Sequence, residues 1–197
     1  LKNLRLVQSA SDASQGLKGA AEILEGHHMA NLAAMWGDVP YSEAIQVATN
    51  EAPHYDKQEV VYTKALATID RGIADLTANA GATFQDAFSF KGDAVKWAKF
   101  AHSSKARYLM HLARAKGSVS AYDATLLNNV VTEASQGILA TNGSDDLLFL
   151  HGPFFWGNMN VWFSFGNYDG PYQIDVAGSF AVTMLQNRHW DGKSSET

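Results

Sequence analysis

The segment Met35-Trp36-Gly37-Asp38-Val39-Pro40-Tyr41-Ser42-Glu43-Ala44, followed by Pro53-His54-Tyr55-Asp56-Lys57-Gln58-Glu59-Val60-Val61-Tyr62, decides how this chain folds. It reads as the end of one helix, a turn, and the start of the next. Gly37 lets the chain leave the helix through positive φ, and Pro40 blocks any continuation. Asp38 is placed to bond backbone amides in the turn. Trp36 and Tyr41 are expected to seal the end of the hairpin against the second helix. Asp56 is expected to cap that helix, with Glu59 completing a capping-box pattern and Tyr55 stapled onto Val60. Each of these residues sits at a helix boundary or on an apolar stripe, so the reading is architectural.

Four helices follow when the pattern is extended outward. The first is expected from Ser11 or Asp12 to Met35, with Leu17, Ala20, Ala21, Leu24, Met29 and Leu32 on one stripe. Another starts after Asp56 and repeats Tyr62, Ala65, Leu66, Ile69, Ile73 and Leu76 at helical spacing, closing by Gly81. Asp93 opens the third, whose inner face is Trp97, Phe100, Ala101, Ser104, Tyr108, Leu109 and Leu112, with Gly117 as its end. Asp123 opens the fourth, with Leu126, Leu127, Val130, Val131, Ala134 and Ile138 inward. Short links between amphipathic helices imply antiparallel neighbours. The expected class is therefore mostly α, in antiparallel helical hairpins of tetratricopeptide-like type, although no repeat consensus recurs.

After Leu139 the pattern changes. Between Gly152 and Tyr172 there is neither helical nor alternating period, yet Phe154, Phe155, Trp156, Trp162, Phe163, Phe165, Tyr168 and Tyr172 crowd together with Gly, Pro and Asn. A turn-rich, irregular aromatic loop is expected. The chain divides into a helical core at 1–139, the aromatic-rich region at 140–177, and a short helix with a polar tail at 178–197.

Bulk properties exclude several functions. The 197 residues carry a formal charge of −5 with no basic block, so a nucleic-acid partner is not expected. With no cysteine, a disulfide scaffold, a thiolate zinc site and a cysteine nucleophile are excluded. No apolar run approaches the ~18 residues of a spanning helix. The N-terminal Leu-Lys-Asn-Leu-Arg-Leu lacks the features of a signal peptide and an initiating Met, and is expected to begin inside a longer protein.

Three blocks in order carry a family resemblance. Trp36 to Ala44 resembles a W/Y-G-D-x-P-Y-S-E-A motif, Pro53 to Gln58 resembles P-x-Y-D-x-Q, and Gly92-Asp93 through Trp97 to Phe100-Ala101-His102-Ser103-Ser104-Lys105-Ala106-Arg107 resembles G-D-x-x-K-W-x-K-F-A-N-S-L-K-L-R. Together they resemble the SusD/RagB family over Leu1 to Gly137. His102 stands where that pattern has Asn, and Ser104 and Ala106 where it has Leu, so the packing of the third helix is expected to differ there. The resemblance implies a non-catalytic glycan-binding lipoprotein on the bacterial outer membrane. It also implies oligosaccharide as ligand, a SusC-like TonB-dependent transporter as partner, and attachment through an N-terminal lipid anchor absent from this chain.

The residues themselves point the same way. A sugar stacks its C–H face on an indole or phenol while amides and carboxylates bond its hydroxyls. Trp156, Trp162, Tyr168 and Tyr172, with Asn158, Asn160 and Asp169 among them, supply both requirements and form the expected glycan site. Against this stands the reading of the same aromatics as a satellite core. His27 and His28 diverge by about 100° on a helix, which does not suit one metal. Asp145-Asp146 lacks the EF-hand spacing and reads as a solvated turn. Asp38 with Glu43, or Asp169 with Asp175, imitates a glycosidase pair only in composition. No catalytic residue, metal or cofactor is expected. Two rival readings remain, a helical-repeat adaptor that binds only protein and a glycoside hydrolase on a helical toroid.

Overall fold

A computed structural model describes residues 1–46, 50–78, 84, 90–118 and 121–147. All lie within Leu1–Phe149, the first of the two units into which the chain divides. Five helices stand among the described residues: α1 (Lys2–Ser9), α2 (Gln15–Trp36), α3 (Gln58–Ala78), α4 (Ala94–Lys116) and α5 (Ala124–Ser135). They include no strand; the one extended pairing is an antiparallel bridge between Val39 and Asp56. The mostly α class expected from periodicity is what forms among the described residues.

Local chemistry sets most of the boundaries. Ser14 caps α2 by accepting from the Leu17 amide at 3.3 Å, two or three residues beyond the expected start. Gly37 ends that helix at φ 78°, a conformation that favours glycine. Asp93 accepts from the amides of Val95 and Lys96, and Asp123 from that of Leu126, so both expected caps form. The short helix α1 carries no buried residue and is not among the four expected helices.

Side-chain pairing fixes the directions. Gly19 lies against Gly72 and Leu76, whereas Gly26 lies against Ala65 and Ile69, so α2 and α3 run antiparallel. Glu59 pairs with Lys116 and Asp70 with Lys105, which makes α3 and α4 antiparallel as well. His102 and Lys105 reach Glu133, while the amide of Asp123 bonds the carbonyl of Ala113, so α5 returns along α4.

Two apolar clusters fill the interior. Near one end, Ile23, Ile69, Leu76, Phe90, Trp97 and Ala101 are buried together; near the other, Met29, Ala33, Tyr41, Val61, Tyr62, Ala65 and Tyr108. Trp97 meets Phe90 and Phe100 edge-on, with centroids 5.4 and 6.0 Å away.

Several expectations are corrected. Trp36 is 72% exposed and does not seal the hairpin; Gly37 turns the chain away, and the buried Tyr41 closes the end, its hydroxyl 3.1 Å from Thr68 Oγ1. Leu32 at 38% and Tyr55 at 70% exposure are likewise not buried, and Tyr55 staples nothing. Asp56 does not cap α3. Its carboxylate turns back to accept from the amides of Tyr41 at 3.0 Å and Ser42 at 2.6 Å, and Asp38 takes the capping role, accepting from the Gln58 amide at 2.9 Å. Glu59 pairs with Lys116 instead of completing a capping box. Finally, α5 buries none of its residues, and Val131 is 68% exposed, because α5 lies on α4 through the polar contacts of Glu133.

Candidate functional site

The expected glycan residues Trp156, Asn158, Asn160, Trp162, Tyr168, Asp169 and Tyr172 lie outside the described residues, as does Asp175. The polar arrangements that the described helices do build are of three kinds: spent carboxylates, a buried histidine contact, and two openings at the surface.

The carboxylates suggested as a glycosidase pair are committed elsewhere. Asp38 bonds the Gln58 amide and pairs with Lys57 at 3.3 Å, and the Gln58 amide holds its carboxyl below the usual range. Glu43 accepts from Asn50 Nδ2 at 2.7 Å and from the amide and ring of His54 at 3.1 Å each, which lowers it too. Asp145 departs from the solvated-turn reading: it is buried and pairs with Lys99 at 2.6 Å, while Asp146 is exposed. Among the described residues, no group of three or more His, Cys, Asp or Glu is placed to hold a metal ion.

His27 packs between α2 and α4. Its Nδ1 lies 3.1 Å from Ser104 Oγ and 3.3 Å from the Tyr108 hydroxyl, which donates its own proton to the His27 carbonyl at 3.0 Å. With that proton committed, Nδ1 is the donor to the phenol oxygen. Burial pushes the imidazole down to about 4, and burial pushes the Tyr108 phenol up to about 12. Ser104, where the family pattern carries Leu, therefore gives the buried ring a polar neighbour. His102, where the pattern carries Asn, meets Glu133 at 2.7 Å.

Two openings remain. A groove of about 430 Å³ lies where the end of α2, the start of α3 and the end of α4 meet. Ala34, Leu112 and Ala115 give it an apolar part, and the Tyr62 hydroxyl bonds His111 Nδ1 within its lining at 3.0 Å. Burial lowers the pKa of His111. A second cleft, of about 370 Å³, is lined by α1 and α3 with Glu25 and Tyr41. Glu25 is 4% exposed, and both its oxygens are occupied, by Arg5 Nε at 3.1 Å and Gln8 Nε2 at 2.8 Å. Arg5 also donates to the carbonyls of Ala44 and Tyr41, which ties α1 to the loop. Sequence reasoning missed this cleft, because its charges come from separate segments and each reads as part of a solvated face.

Comparison with known proteins places the chain. Residues 1–187 match the SusD-like family described as starch-binding and associating with the outer membrane, and the chain belongs to that family. A SusD/RagB family protein from Bacteroides thetaiotaomicron superposes with a TM-score of 0.65 at 26% identity, over 84% of this chain and 34% of that one. A chitin-binding protein gives 0.60 at 28% identity, over 76% and 31%. A chitin-binding SusD homolog from Flavobacterium johnsoniae, at 24% identity and 0.59 over 74% and 31%, shares the fold. The chain spans about a third of the length of these relatives. No curated protein matches the sequence. Among the described residues, no helix is long and apolar enough to cross a membrane.

Proposed function

We propose that this protein captures oligosaccharide at the bacterial cell surface without chemical turnover and passes it to a SusC-like TonB-dependent transporter in the outer membrane. Membership of a family described by starch binding, not by a reaction, carries the reading. The 28%-identical chitin-binding relative adds support for a glycan ligand. Attachment through an N-terminal lipid anchor belongs to the same proposal. The contact residues are Trp156, Trp162, Tyr168 and Tyr172 as stacking faces, with Asn158, Asn160 and Asp169 bonding hydroxyls. An open site of this kind holds each sugar weakly, with affinity on the order of micromolar to millimolar.

Calorimetry against a panel of soluble oligosaccharides, including starch and chitin fragments, with product analysis of the same samples, tests the reading. Heat without new reducing ends is expected. Appearance of products would make the protein a hydrolase, and absence of heat with every glycan would leave the protein-adaptor reading. Trp156→Ala and Trp162→Ala are each expected to abolish retention while cooperative melting persists. Loss of melting in both would assign these rings to a core.

A further inference from the structure

The cleft between α1 and α3 has a surplus of hydrogen-bond donors that the fold does not use. Arg5 is anchored at its floor through three of its five N–H groups, by Glu25 and two carbonyls. Lys64 and Arg71 are less committed. Lys64 makes one hydrogen bond, to the Ser42 hydroxyl, out of the three an ammonium offers. Arg71 directs Nε to Glu22 at 3.2 Å and one terminal nitrogen to Thr68 Oγ1 at 3.2 Å, leaving N–H groups of its fork unbonded. Both cations are solvent-exposed, so a ligand reaches them without rearrangement.

Most of the acceptors beside these cations are already occupied. Both oxygens of Glu25 are occupied. Asp56, near Lys64, is committed to Tyr41 and Ser42. Glu22 pairs with Arg71 through one oxygen at 3.2 Å, its other oxygen is buried without a hydrogen-bond partner, and burial raises its pKa. The lining itself carries Arg5, Lys64 and Arg71 with Glu25, while Glu22 and Asp56 stand beside Arg71 and Lys64.

The lining also lacks a stacking surface. Its one ring, Tyr41, is 3% exposed and covered by the Arg5 guanidinium 5.5 Å from the centroid. A neutral sugar has nothing flat to lie against here, so recognition rests on charge-assisted hydrogen bonds. Lys64 and Arg71 stand seven positions apart on α3, which places them on one face about 10 Å from each other along the axis. Both long side chains reach into the same cleft, so one ligand seated there meets both.

We infer that this cleft binds the carboxylate or sulfate group of an acidic saccharide between Lys64 and Arg71. The saccharide part of this inference rests on the glycan-capture reading; the anion part rests on the cleft alone. The donors come from groups already held: Lys64 is steadied by Ser42, itself bonded to Asp56, and Arg71 by Glu22 and Thr68.

The test is calorimetric titration of the chain with glucuronic acid, glucose 6-sulfate, glucose, sodium acetate and sodium sulfate at low and high salt. Both acidic sugars are expected to bind, glucose about tenfold more weakly or not at all, and high salt to weaken the acidic ones. Binding of acetate or sulfate alone as tightly as the acidic sugars would make the cleft a simple anion site and overturn the saccharide assignment. Lys64→Gln and Arg71→Gln are each expected to weaken acidic-sugar binding about tenfold. Should Arg71→Gln disturb melting by stranding Glu22, the exposed Lys64→Gln decides alone. Equal binding of glucose and glucuronic acid, or unchanged affinity in Lys64→Gln, overturns the inference. If neutral oligosaccharides bind but an acidic group adds nothing, the cleft fails and glycan capture stands. If acidic sugars bind while no neutral glycan does, the cleft stands and capture narrows to acidic glycans.

Discussion

Gly26 on α2 lies so close to α3 that a Cβ at that position would stand 2.5 Å from the carbonyl oxygen of Ala65 and 2.6 Å from Ile69 Cγ1. The converse contact occurs a helical stretch away, where a Cβ on Gly72 would meet the Gly19 carbonyl at 2.6 Å. Two effects oppose each other in Gly26→Ala. Helix propensity favours alanine by about 1 kcal/mol, whereas overpacking against backbone costs about 1–3 kcal/mol. Backbone is the obstacle here, so packing wins and the variant is expected to melt at lower temperature. A rise in melting temperature would mean that the helices lie further apart.

Trp97 and Trp36 make a matched pair of opposite burial, 2% and 72% exposed. Trp97→Ala is expected to cost about 3–5 kcal/mol through the cavity left beside Phe90 and Phe100. Trp36→Ala is expected within about 0.5 kcal/mol of the parent. Urea denaturation of both checks the contrast, and equal losses would contradict it.

The roles of Asp38 and Asp56 are separable by mutation. Asp38→Ala removes the acceptor of the Gln58 amide at the start of α3 and is expected to lower the melting temperature slightly. Asp56→Ala strands two amides and a hydroxyl and is expected to cost more than the cap. Hydrogen exchange of the Tyr41 and Ser42 amides should accelerate in the second variant and not in the first.

His27 gives the fold an acid limit. Its folded value of about 4 lies below the ordinary histidine value of 6.5, so between these pH values the unfolded chain binds the extra proton. The contribution is complete above about 6.5 and falls away as pH drops towards 4. Allowing for the ring's partial exposure, its size is on the order of 2 kcal/mol. His27→Gln should flatten the stability profile in that window, as measured by denaturation at successive pH values; an unchanged slope would assign it to other groups.

The helices were legible because their information is local. Asp93 and Asp123 cap where the sequence places them, and Gly37 ends α2, since each acts on amides or carbonyls within a few residues. Asp56 misled because Asp38 competes for the same helix start. The Val39–Asp56 bridge brings Asp38 to the Gln58 amide and turns Asp56 toward Ser42, an outcome set by tertiary crossing. Gly19, Gly26 and Gly72 carry no signal singly; their meaning appears only when α2 and α3 are laid together. The expected aromatic site was readable as composition and chemistry, whereas the cleft joins Arg5, Glu25, Lys64 and Arg71 from three helices and has no motif.

The Val39–Asp56 bridge and the Asp56 carboxylate have a practical corollary. They close the neck of the excursion between α2 and α3, so its outer part is a side branch that transmits no length change to the helical pair. Splicing a reporter peptide between the exposed Glu51 and Ala52 should therefore leave the register of α2 against α3 untouched.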